Sequence, residues 1–249
     1  MISRSVTIPS LVVLLLAAAG CGGSRQGGVL GAHMTRSCAS GFHAVGSTRL
    51  AWAAVVRRPT HAYRSPGRHS FARFDRLNAN GVPMVFSVVG RIDGACATRW
   101  YRVELPVRPN GVVGWVRAAD VTLEPVDTRI LVDVSARRVV LYRRGREVLR
   151  TTAAVGAPAT PTPTGRFYVN QRLIPRDPSG PFGPGAIGIS AFSDVLTGWT
   201  QGGPIAIHGT NEPWSIGRNV SNGCIRVRNP VLRRLFDATS AGTPVEIRP

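Results

Sequence analysis

Turn residues interrupt this chain so often that a long helix has almost nowhere to form. Its 249 residues include 28 Gly and 19 Pro, and the apolar runs between them are of strand length. Asn229 to Ala238 keeps the one helical pattern, with Val231, Leu232, Leu235 and Phe236 on one face, Asn229 as N-cap and Pro230 after it. The remainder predicts a mainly β chain with one short helix, built as two units that meet near residue 125.

The first unit holds Leu50 to Val56, Met84 to Val89, Trp100 to Leu105 and Gly114-Trp115-Val116, punctuated by Ser65-Pro66-Gly67, Asn80-Gly81 and Pro109-Asn110-Gly111. Five or six short strands in about 75 residues predict a small barrel, with Trp100 and Trp115 as barrel core. The second unit restarts at Ile130 to Val134, then Val139 to Tyr142, an Arg144-Gly145 turn, and Val148 onward. Pro158 to Gly165 is barred from a central strand because each Pro lacks a ladder donor. Phe167 to Asn170 and Thr243 to Ile247 are further strands, while Pro175 to Gly188 is a long loop that either caps a site or connects through solvent.

The charge of +18 points at first to a polyanion. All 31 basic residues are Arg, however, and they are scattered instead of gathered in one patch. A complete absence of Lys is the mark of GC-rich codon usage, and we expect no nucleic-acid partner.

Arg4 followed by the apolar run Leu11 to Ala19 reads as a secretory signal over residues 1–20, too short to span a bilayer. Ala18-Ala19-Gly20-Cys21 resembles a bacterial lipobox, in which Cys21 is lipidated; the alternative is cleavage after Ala17-Ala18-Ala19. Residues 21–48, with Gly22-Gly23-Ser24 and Gly27-Gly28, then form a flexible tether. The expected location is the outer face of the cytoplasmic membrane and the cell wall. In that oxidising space Cys38 and Cys96 are available to pair, leaving Cys224 as an unpaired thiol and a candidate nucleophile.

The second unit contains one His, His208, and one Cys, Cys224, sixteen residues apart and each beside Gly. An imidazole and a nearby cation favour a thiolate, and Arg226, two residues on, would share a strand face with Cys224. Gly223 leaves room for backbone N–H groups to face a reacting carbonyl. Structural zinc needs four ligands, so two residues with no acidic cluster beside them predict no metal; Glu212 is the nearest carboxylate.

Ile205-Ala206-Ile207-His208-Gly209-Thr210 with Ser221-Asn222-Gly223-Cys224-Ile225-Arg226 is similar to the signature of L,D-transpeptidases with a YkuD-type catalytic domain. Val155-Gly156 through Pro161-Thr162-Pro163-Thr164-Gly165-Arg166-Phe167 resembles that family's PTPxGxF segment, and Asn222 stands where members commonly carry His. In the first unit, the Trp100-Tyr101-Arg102-Val103 strand, the tight turn and Gly114-Trp115-Val116 resemble a bacterial SH3-like domain. The resemblance implies an SH3-like domain over 49–124 and a YkuD-type β-sandwich catalytic domain over 125–249.

It further implies a cysteine acyltransferase that needs no cofactor and acts on peptidoglycan stem peptides. Cys224 would be the nucleophile, His208 the base, and Gly209 the source of the carbonyl that orients it. Gly223, Ser221 and Arg226 would serve the oxyanion or the substrate, and Asn222 would tune the site. Carbapenem-type compounds are the expected acylating inhibitors. An L,D-carboxypeptidase using water, or a non-catalytic wall-binding surface lipoprotein, are the alternatives. A sortase would separate His and Cys further, and an NlpC/P60 peptidase would place Cys before His.

Overall fold

A computed structural model describes residues 40–94 and 97–249. The expected signal segment, the lipidated Cys21 and the Cys38–Cys96 pair lie outside the described residues.

The first sheet is formed by β1 (Gly41–Ala44), β2 (Ala51–Val56), β3 (Thr60–Tyr63), β4 (Ser70–Phe74), β5 (Val85–Gly94), β6 (Ala97–Glu104), β7 (Val113–Arg117) and β8 (Val121–Val126). Its order is β4-β3-β7-β6-β5-β2-β8, with β1 also on β5. Eight strands replace the expected five or six, and β1 falls inside the segment read as tether. The cause lies far along the chain: Phe42 meets Trp115 edge-on at 6.0 Å, over Gly90, where the absence of a side chain leaves room for the ring. Inward residues such as Val56, Phe74, Phe86 and Val103 fill this sheet's core.

At Asp127 the chain passes into the second sheet. The strands from here on are β9 (Thr128–Asp133), β10 (Arg138–Arg143), β11 (Arg146–Thr152), β12 (Val155–Gly156), β13 (Gly165–Leu173), β14 (Ala186–Phe192), β15 (Pro204–His208), β16 (Asn219–Ser221), β17 (Ile225–Arg226) and β18 (Pro244–Arg248). Eight of these follow the order β11-β10-β9-β18-β13-β14-β15-β17, while β12 and β16 pair separately in parallel. β9 buries every second residue, as a period of two requires. The β10–β11 hairpin turns on Arg144 and Gly145, both at positive φ (50° and 79°), the two-residue turn whose twist matches its strands.

β13 joins two halves of this sheet. Gly165 to Tyr168 pair with β18, and beyond a register shift at Val169 the strand pairs with β14. The helix α1 (Asn229–Ala238) lays Leu232 and Leu235 on the core with Ile187, Ile207 and Ile225. Burying each such side chain contributes about 1.5–3 kcal/mol. The N-cap is Arg228, not Asn229, and no side chain caps the helix; the Asn229 carboxamide is engaged at the site described below.

The two sheets share a buried seam. Tyr168 donates its hydroxyl to Val85 O at 3.0 Å, and a side chain at Gly242 would run into Ala53.

Candidate active site

Parallel pairing of β15 with β17 sets Ile207 beside Ile225 and His208 beside Arg226. Side chains two apart on a strand share a face, so Ala206 and His208 on one strand face the same side as Cys224 and Arg226 on the other. The Ala206 backbone amide lies close enough to the Cys224 sulfur to favour its charged form.

His208 is 4% exposed. Its Nδ1 lies 2.5 Å from Gly209 O. A carbonyl oxygen only accepts, so Nδ1 carries the proton and Nε2 is left with a free lone pair. Phe182, from the loop between β13 and β14, meets the imidazole edge-on at 4.9 Å. At Phe182 that loop therefore reaches the His208 ring, while Phe182 itself remains partly open to solvent. Burial drives the His208 pKa down to about 4 against a small opposing effect of the Gly209 carbonyl, and Arg226 lowers it further.

Burial also raises the Cys224 pKa, with the Ala206 N–H and Arg226 pulling the other way. The sequence reading expected a thiolate stabilised by imidazole and cation. Desolvation instead outweighs both, and burial favours the neutral thiol and the neutral imidazole.

Arg226 is less free than its place in the sequence suggests. Its Nη1 is ion-paired with the carboxylate of Glu212, which the sequence placed nearest to the His and Cys motifs. Asn229 was also missed as a site residue: its Oδ1 accepts the Thr210 N–H at 2.7 Å, tying the helix start to the segment after His208. A side chain at Gly209 would collide with that same oxygen and lie 2.9 Å from Pro184. The Gly209 requirement is thus steric, while its carbonyl holds the imidazole.

Ser221 and Gly223 shape the nucleophile's loop. Ser221 Oγ donates to Cys224 O at 2.5 Å and accepts the Gly223 N–H at 3.2 Å, and the residue is 1% exposed. Ser221 therefore sits behind Cys224, closed off from the substrate-binding part expected of it from the sequence. The Gly223 amide is turned inward with it. Gly223 has φ of 101° and approaches Pro161 O, so the proline-rich turn lies directly beneath the cysteine loop. That turn folds back on Gly156, whose N–H donates to Thr162 Oγ1 at 2.8 Å. Asn222 is exposed.

Cys224 opens on a cavity of about 660 Å³ whose lining includes Phe182, Trp199, Gln171 and Ala206. Asn80, from the first sheet's side of the molecule, also lines it.

Residues 127–247 match the family model for the YkuD L,D-transpeptidase catalytic domain. The YkuD protein of Bacillus licheniformis, an L,D-transpeptidase by name, is 36% identical over 126 residues, 51% of this chain and 68% of that protein. Its Bacillus subtilis namesake is 37% identical over 118 residues, 47% of this chain and 64% of that protein, so the match leaves about a third of each relative uncovered. Among solved structures, L,D-transpeptidase 3 of Mycobacterium tuberculosis is 16% identical, with a TM-score of 0.42 over 67% of this chain and 92% of that one. On the strength of the family match and the Bacillus relatives, the chain belongs to the YkuD L,D-transpeptidase family.

Proposed function

We propose that the protein is a peptidoglycan L,D-transpeptidase that forms 3→3 cross-links through a Cys224 acyl-enzyme. The observation that carries this reading is the fixed tautomer of His208. With Nδ1–H held by Gly209 O, Nε2 keeps its lone pair for a proton, on a strand that neighbours the one following Cys224.

The chemistry begins from the neutral pair. Cys224 passes its proton to His208 Nε2 as sulfur attacks the carbonyl of the third stem residue. The tetrahedral oxyanion takes a hydrogen bond from the Cys224 amide, since the Gly223 amide is engaged with Ser221. The C–N bond to the terminal D-Ala breaks, and His208 returns the proton to the departing amine. The thioester then meets the side-chain amine of a second stem, which yields its proton to His208 as the new amide forms and the thiol is restored. Water in place of the amine gives an L,D-carboxypeptidase. Arg226 and Glu212 hold the rim of the site as an ion pair.

Around this reaction we place the rest of the chain as the sequence suggests: export by residues 1–20, a lipid anchor at Cys21, and a wall-facing SH3-like unit before the catalytic one. Carbapenem-type compounds are the inhibitors expected to acylate Cys224. Incubating the protein with a disaccharide tetrapeptide should give a thioester adduct by mass spectrometry that Cys224→Ala lacks. Equal product from both would remove the assignment.

A further inference from the structure

The pocket in front of Cys224 is completed by residues far outside the matched family segment. Arg108, in the loop between β6 and β7, donates from Nη2 to Ser193 O at 2.6 Å and to Gly202 O at 2.5 Å. These carbonyls stand at the two ends of the loop between β14 and β15, and the same guanidinium lies 5.3 Å from the Phe192 ring centroid. Asn110 takes both backbone groups of Phe192: its Nδ2 donates to the carbonyl at 2.8 Å and its Oδ1 accepts the N–H at 2.9 Å. The clamped loop carries Trp199 and Gln201 into the cavity lining. Gln201 is held at φ of 59°, a conformation that a side chain of its kind adopts only when its surroundings fix it.

A second contact closes the wall. Asn80 Nδ2 donates to Gln171 Oε1 on β13 at 2.8 Å, and Asn80 Oδ1 accepts from Gln201 Nε2 at 3.1 Å. Asn78 Nδ2 donates to the same Gln171 oxygen at 2.8 Å, and Asn78 Oδ1 accepts the Asn80 N–H at 2.9 Å, holding the turn. One carboxamide thus bridges β13 and the clamped loop, and no charged side chain lines this cavity.

We propose that the first sheet is part of the substrate pocket: Asn80 contacts the donor peptide as a specificity-determining residue, and Arg108 with Asn110 positions the loop that roofs it. The ligand suited to this wall is an uncharged stretch of peptide, whose N–H and C=O groups match carboxamides. The inference rests on the transferase reading, since it places the donor in the cavity on which Cys224 opens.

The test uses the full chain and the disaccharide tetrapeptide. Asn80→Ala should raise KM about fivefold, the size of one hydrogen bond lost to the peptide, and Arg108→Ala, which frees the loop at both ends, at least as much, each with kcat within about twofold. Gln201→Ala, on an exposed loop, supplies the same reading if either variant folds poorly. Alkylation of Cys224 by iodoacetamide, unaltered in rate, reports an intact nucleophile in each variant. A purely structural seam would lower the melting temperature and leave KM in place, which would overturn the proposal. If the wild type forms no thioester, the Kd of the tetrapeptide is measured in the Cys224→Ala background. A fivefold weakening by Asn80→Ala there upholds the pocket and removes only the reaction, whereas unchanged affinity or no binding overturns the pocket as well.

Discussion

Opening the cover over His208 should shift the pH range in which the protein works. In the native fold the imidazole is driven to a pKa of about 4, mainly by burial, with the Phe182 ring against it. Acylation needs Nε2 unprotonated, so kcat/KM for the tetrapeptide should keep its plateau down to about pH 5 and fall with a midpoint near 4. At pH 5.5 a group of pKa about 4 is about 97% neutral, whereas an ordinary imidazole at 6.5 is about 9% neutral, a tenfold difference in rate. Phe182→Ala admits water to the ring edge and should move the acid limb upward by about one pH unit. The same shift appears in stability. Because the native pKa lies below the unfolded value of 6.5, the unfolded chain binds the proton first. Stability is therefore complete above pH 6.5 and is lost as pH falls toward 4, by about 3 kcal/mol from this one group. Urea unfolding at pH 7 and pH 4 of wild type and His208→Gln should show that difference, other titrating groups cancelling between the two proteins. A wild-type limb near 6.5, or a Phe182→Ala limb that stays in place, would refute the argument that burial sets this group.

Three further changes follow from the same geometry. Glu212→Gln leaves Arg226 without its counter-charge, which lowers the Cys224 pKa, and iodoacetamide should alkylate the thiol severalfold faster at pH 8 than in the wild type. Asn229→Ala orphans the Thr210 N–H beside the base, and we expect a loss of about 1–3 kcal/mol in urea unfolding together with a lower kcat. Tyr168→Phe removes the donor to Val85 O at the seam between the sheets, with an expected loss of about 1 kcal/mol read as a lower melting temperature at unchanged kcat.

Much of the strand layout was legible because period-two patterns and turn residues are local. β9 and the Arg144-Gly145 hairpin are examples, as is the helix at Asn229–Ala238. The strand that ends at His208 was legible too, from the apolar run Ile205-Ala206-Ile207, and it pairs with the short strand that follows Cys224. The parts that escaped depend on partners distant in sequence. Nothing near Asn80 announces Gln171, 91 residues away, and nothing near Arg108 announces Gly202, 94 residues on. Asn229 was read as a cap because local rules favour that role, yet a tertiary acceptor position outcompeted it. The protonation state of the pair escaped for a related reason. Charge neighbours are visible in a sequence, whereas the water excluded by a fold is not.

The parallel pairing of β15 and β17 also governs how such a chain can vary. Parallel neighbours cannot be joined by a tight hairpin; the chain must travel out and return by a crossover of about a dozen residues or more. Residues 209–224 are that return path, close to the shortest that geometry permits. Shortening it would pull base and nucleophile out of alignment, while lengthening it at the exposed Trp214 would leave both strand ends where they are. The spacing between these two strand ends thus has a floor but no ceiling, and length variation among related chains should accumulate on one side only.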